Sequence, residues 1–108
     1  MVEDDILEDA GRPHWWLATL GRTIVWARMR VRDAGTAEVF DSDGNTLVYD
    51  SADSARAALM DAEFVEYEGL DREDAMDRGF DLDEVVPPRA ESDDALRMQM
   101  VRQLSPRH

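Results

Sequence analysis

The chain has no cysteine and no lysine among its 108 residues. Without cysteine there is no disulfide framework, no thiolate metal site and no thiol nucleophile. Without lysine, all twelve basic residues are arginine. With abundant Ala, Arg, Asp and Val, that points to a GC-rich coding sequence and an expected bacterial source. No apolar run approaches the ~20 residues that a membrane span needs. The opening segment, Met1-Val2-Glu3-Asp4-Asp5, is acidic where a signal peptide would be basic. A cytoplasmic protein with no membrane association is therefore expected. Histidine is scarce too: His14 and His108 lie near opposite ends of the chain. Neither has the neighbouring ligands that a metal site requires. Phosphate-cradling, dinucleotide-binding, nucleophile-elbow and zinc-protease motifs are all missing. No catalytic residue, cofactor or metal is expected, and a non-enzymatic role follows.

What the chain does have is acid. Its 25 Asp and Glu outweigh its Arg to give a formal charge of −13. A hydrophobic share of 44% is enough for one modest core, so the whole is not a disordered acidic tail. One domain is expected over residues 14–104, with a flexible acidic arm at 1–13 and a frayed tail at 105–108. Charge is strongly segregated. Residues 12–32 carry five Arg (12, 22, 28, 30 and 32) and no acid, whereas residues 33–94 carry twenty acids and four Arg.

Residues 14–20 are aromatic and apolar and read as a strand. Gly21-Arg22 marks a turn, and residues 22–32 then alternate with period two. Val25, Met29 and Val31 fall on the expected buried side. Arg22, Trp26, Arg28, Arg30 and Arg32 fall on the other, with Ile24 among them. A three-residue loop at Asp33-Ala34-Gly35 sets Val31 against Ala37, Arg30 against Glu38 and Met29 against Val39. The next loop, Ser42 to Asn45, sets Val39 against Val48 and Phe40 against Leu47. Asp50 or Ser51 caps a helix over 52–63, whose stripe is Ala55, Ala58, Leu59 and Ala62. The alternation over 63–68 suggests a further short strand. Asp71 caps a short helix at 72–78 that Gly79 stops, and a loop follows over 80–90. Ser92 caps a last helix, 93–104, with Leu96, Met100, Val101 and Leu104 on one face. The expected fold class is α+β: an antiparallel meander of three to four strands packed on one main helix, with a C-terminal helix. Expected core members are Leu17, Val25, Met29, Val31, Val39, Val48, Leu59, Phe64, Leu96, Met100 and Leu104.

Asp41, Asp43 and Asn45 match the opening of an EF-hand calcium loop. Thr46 and Ala52 then stand where the loop needs Gly and a bidentate Glu, so a hairpin turn is the expectation. Trp15 and Trp16 are adjacent on one strand and cannot share a face, so one of them points away from the main helix.

Two candidate surfaces emerge. The first is acidic: Glu66, Glu68, Asp71, Glu73, Asp74, Asp77, Asp81, Asp83 and Glu84. Immunity proteins and nucleic-acid mimics use dense carboxylates to engage basic clefts. The leading expectation is thus a protein–protein interaction module with a basic protein partner, monomeric or homodimeric, and not a nucleic-acid binder. The second surface is the Arg22, Trp26, Arg28, Arg30 and Arg32 face. A three-stranded sheet backed by one helix, with Arg and Trp on the sheet, resembles the AP2-like domains over residues 14–63. That resemblance implies DNA readout through the sheet face, which is the alternative function.

Overall fold

The computed structural model describes residues 11–32 and 34–104. The first strand, β1 (Pro13–Leu20), pairs antiparallel with β2 (Thr23–Val31) across the Gly21-Arg22 turn, from Leu20↔Thr23 to Pro13↔Arg30. β3 (Ala37–Phe40) follows in the expected register, with Val31 opposite Ala37, Arg30 opposite Glu38 and Met29 opposite Val39. β4 (Thr46–Tyr49) differs by one residue: Val39 faces Leu47, and Glu38 faces Val48. Asp41 and Asn45 close the ladder, with the Asp41 N–H donating to the Asn45 carbonyl at 3.0 Å. The loop is therefore three residues long, like the one before it. Each loop ends on a glycine in the left-handed region, Gly35 at φ 87° and Gly44 at φ 89°, as a type I turn with a bulge requires. The one-residue shift turns Val48 outward, where it is 56% exposed, and removes it from the expected core.

Ser51 caps α1 (Ala52–Asp61), its hydroxyl accepting from the Ser54 N–H at 3.1 Å. The helix stops two residues before the expected end. The Phe64 N–H reaches back to the Leu59 carbonyl and the Glu63 N–H to that of Met60, a Schellman closure. β5 (Val65–Glu66) then pairs with β1. A 3₁₀ turn, Tyr67–Gly69, leads to α2 (Arg72–Asp77), which Asp71 and Asp74 close in a capping box. A second 3₁₀ turn, Leu82–Glu84, precedes α3 (Asp93–Arg97), capped by Ser92.

The expected helix over 93–104 is corrected. Only its first turn forms. The chain then becomes β6 (Val101–Gln103), antiparallel to residues 23–25 of β2. The reason lies in the edge of β2. β3 pairs with β2 only over residues 28–31, so the other end of that edge has unpaired backbone groups. β6 takes that place. The Trp26 N–H donates to the Met100 carbonyl at 2.8 Å, and the Leu104 N–H donates to the Arg22 carbonyl at 2.7 Å. The resulting antiparallel six-stranded sheet runs β4-β3-β2-β1-β5, with β6 on β2. The fold is α+β.

Both faces of the sheet are covered. One carries Trp16, Ala27, Met29, Ala37 and Val39 against Ala55 and Leu59 of α1. The other carries Leu17, Ile24, Trp26 and Phe40 against Ala75, Phe80, Val85, Leu96 and Met100. Of the expected core, Leu17, Met29, Val39, Leu59, Leu96 and Met100 are buried. Val25, Val31, Phe64 and Leu104 are half-buried. The expected solvent face of β2 is the second correction: Ile24, Trp26 and Arg28 are buried at 0, 1 and 6% exposure. Residues 24–27, Ile-Val-Trp-Ala, are apolar on both faces, as a central strand buried on both sides should be. The expected N-terminal arm lies outside the described residues over 1–10, as does the tail at 105–108.

Candidate functional site

Antiparallel pairing puts odd residues of β1 on the same face as even residues of β2. Trp15 therefore stands opposite Arg28, and Leu17 opposite Trp26. Trp16 goes to the other face, as adjacency demanded, and packs under α1. Trp15 meets Trp26 edge-on, with ring centroids 5.9 Å apart. Trp26 meets Tyr67 at 5.5 Å. The Tyr67 hydroxyl donates to the Val85 carbonyl at 2.8 Å. Burial, and then the nearby Asp83 carboxylate, raise its pKa above the ordinary 10.0.

Arg28 is the buried charge of this face. Its Nη1 donates to Asp93 Oδ1 at 2.9 Å. Its guanidinium carbon lies 4.9 Å from the centre of the Phe40 ring, in cation–π range. The hydrogen bond from Arg28 is the main reason that the Asp93 carboxyl falls below its ordinary 3.8. Desolvation opposes it, and the charges of Arg28 and Arg30 add to it. The other expected members of the face separate. The Arg22 Nη1 donates to the Gly79 carbonyl at 2.5 Å. Arg32 is exposed and pairs with Glu38 at 2.5 Å, although Arg30 is the residue directly opposite Glu38. So Arg22, Trp26, Arg28, Arg30 and Arg32 do not form one open surface. The AP2-like expectation needs such an open face, and the segment after residue 66 covers it.

A groove of about 1230 Å³ remains at the margin of this cover. One wall is the sheet, with Trp15, Arg28 and Arg30. The other wall includes Pro87, Pro88, Arg89 and Arg102. Four arginines line the groove and no Asp or Glu does, in a chain of charge −13. Arg30, Arg89 and Arg102 have no side-chain hydrogen bond or ion pair with any of the described residues. The Arg30 Nε is also buried without a partner there. Sequence reasoning missed Arg89 and Arg102. They lie about sixty or more residues from β2, and no local pattern marks them.

The acidic residues behave differently. Glu68, Asp71, Glu73, Asp77, Asp81, Asp83 and Glu84 are exposed, while Glu66 and Asp74 are half-buried. Asp71, Asp74 and Asp81 cap short helical turns. Asp83 pairs with Arg72 at 3.0 Å. Glu68, Glu73, Asp77 and Glu84 have no side-chain partner among the described residues.

The Asp41 loop is a hairpin turn. Asp41 Oδ1 accepts from the Asp43 and Asn45 N–H groups, each at 3.0 Å. No cluster of three or more His, Asp or Glu able to hold a metal ion occurs among the described residues. No helix among them is long and apolar enough to cross a membrane. His108 lies outside them. No protein-family model, curated protein or solved structure matches the chain.

Proposed function

We infer that the protein is a non-enzymatic protein–protein interaction module that presents its acidic surface to a basic partner. One observation carries this reading. Glu68, Glu73, Asp77 and Glu84 stand exposed and unneutralised on the segment that covers the sheet. Dense carboxylates of one sign set up a field that speeds encounter with a cationic partner and rejects anionic ones. Nearby Arg72 is occupied by Asp83, which leaves the other carboxylates available.

The test is affinity capture with the full chain and with a variant neutralised at four positions, Glu68→Gln, Glu73→Gln, Asp77→Asn and Glu84→Gln. A partner recovered at low salt should elute as salt rises, because the Debye length shrinks from about 10 Å at 0.1 M to about 3 Å at 1 M. The variant should not retain it. Equal recovery by both proteins at high salt would refute electrostatic recognition.

A further inference from the structure

We propose that the groove between the sheet and the Pro87-Pro88 segment is a second binding surface, of opposite sign, that takes an extended acidic peptide segment of a partner protein. It is separate from the acidic surface and does not depend on it.

Charge is the first argument. A chain with twice as many acids as bases has carboxylates to spare for every arginine. Even so, Arg30, Arg89 and Arg102 form no side-chain hydrogen bond or ion pair with the described residues and line one groove whose walls hold no Asp or Glu, the Asp93 carboxylate beside them being held by Arg28. Clustering like charges raises the free energy of the empty groove, and an anion relieves it. Arg28 shows what the groove accepts: its guanidinium already holds a carboxylate oxygen at 2.9 Å.

Shape is the second argument. Arg102 pairs across from Ile24, and Arg30 lies further along the same strand. Six strand positions separate those levels, roughly 20 Å at ~3.3 Å per residue. A small anion fills little of a groove of that length, whereas an extended peptide of about seven residues spans it. Apart from the arginines and Gln99 the lining is apolar, and includes Trp15, Pro87 and Pro88. An acidic sequence with interspersed apolar side chains fits that pattern, with carboxylates on the guanidiniums. Nucleic acid fits it less well. Base stacking needs an open aromatic face, yet Trp26 is 1% exposed and Trp15 is half-buried with Trp26 packed edge-on against it.

The experiment titrates the full chain at low salt, following tryptophan fluorescence and heat. The probes are an end-blocked peptide of about eight alternating glutamate and leucine residues, its lysine and leucine counterpart, and an oligothymidylate of equal charge. The acidic peptide should bind. The exposed pair Arg89→Gln and Arg102→Gln should weaken it by about tenfold or more while the circular dichroism and cooperative unfolding are retained. Arg89→Lys with Arg102→Lys, which keeps the charge, should recover part of the loss. No binding of the acidic peptide overturns the proposal, as does binding indifferent to the glutamine pair. Tighter binding of the oligothymidylate also overturns it and assigns the groove to single-stranded nucleic acid.

Discussion

Two helices in this protein end in the same hydrogen-bond pattern on different residues. After α2 the left-handed position is Gly79, at φ 90°, and the Phe80 N–H closes on the Ala75 carbonyl at 3.0 Å. After α1 the same position is Glu63, at φ 67°, the only non-glycine residue with positive φ among those described. A Cβ in that region meets the following carbonyl oxygen and costs about 1–2 kcal/mol. Part of this is offset by the extra unfolded-state freedom of glycine. Glu63→Gly should therefore stabilise the fold by about 0.5–1 kcal/mol in urea denaturation. Gly79→Ala should do the reverse. Asp93 makes a second prediction. Its carboxyl is lowered from 3.8 in the folded state, so its contribution is complete above that pH and disappears as pH falls through the lower folded value. In thermal melts from pH 6 to pH 2, the wild type should exceed Asp93→Asn in stability near neutrality. The gap should narrow as pH falls below about 3.8; a gap that stays constant from pH 6 to pH 2 would show that the carboxylate charge is not its source.

The C-terminal segment, read as a helix and found as a turn plus a strand, shows how elements are chosen. Leu96, Met100 and Leu104 recur every four residues, which matches a helical stripe. The same residues serve equally as a turn that buries Leu96 and Met100 and a strand that follows. The strand is favoured because β2 offers unpaired backbone groups there, and buried amides left unpaired cost about 1–3 kcal/mol each. Removing residues 98–108 takes away Met100, buried at 0%, and the partners of the Trp26 N–H and the Arg22 carbonyl. Losses of about 2–5 kcal/mol for the side chain and more for the orphaned amides approach the whole stability of a small domain. The shortened chain should lose cooperative unfolding and near-ultraviolet dichroism. Met100→Ala, which keeps the backbone bonds, should unfold cooperatively with a loss of about 2–5 kcal/mol.

For the whole molecule, an excess of thirteen negative charges opposes compaction through self-repulsion. The described ion pairs other than Arg28–Asp93 lie between partly or fully exposed groups, where each contributes little. Screening should thus relieve more repulsion than attraction. The melting temperature should rise as sodium chloride increases from low concentration toward about 0.5 M, where the Debye length falls well below 10 Å. A fall would mean that internal ion pairs outweigh the net charge.

Local chemistry was legible from residue order. The first two hairpins, the Ser51, Asp71 and Ser92 caps and the Gly79 stop all rest on contacts within a few residues, and adjacency put Trp15 and Trp16 on opposite faces without saying which went where. The third hairpin loop was legible too, since Asp43-Gly44 repeats the placement of Ala34-Gly35, but a four-residue reading moved the register by one. The tertiary structure alone decided that both faces of β2 are covered. Periodicity separates two faces without saying how many are covered, and Arg28 looks polar in sequence although Phe40 and Asp93 enclose it. It alone also brought Arg89 and Arg102 beside Arg30, because a groove is made by distant segments folding together and leaves no spacing in the chain.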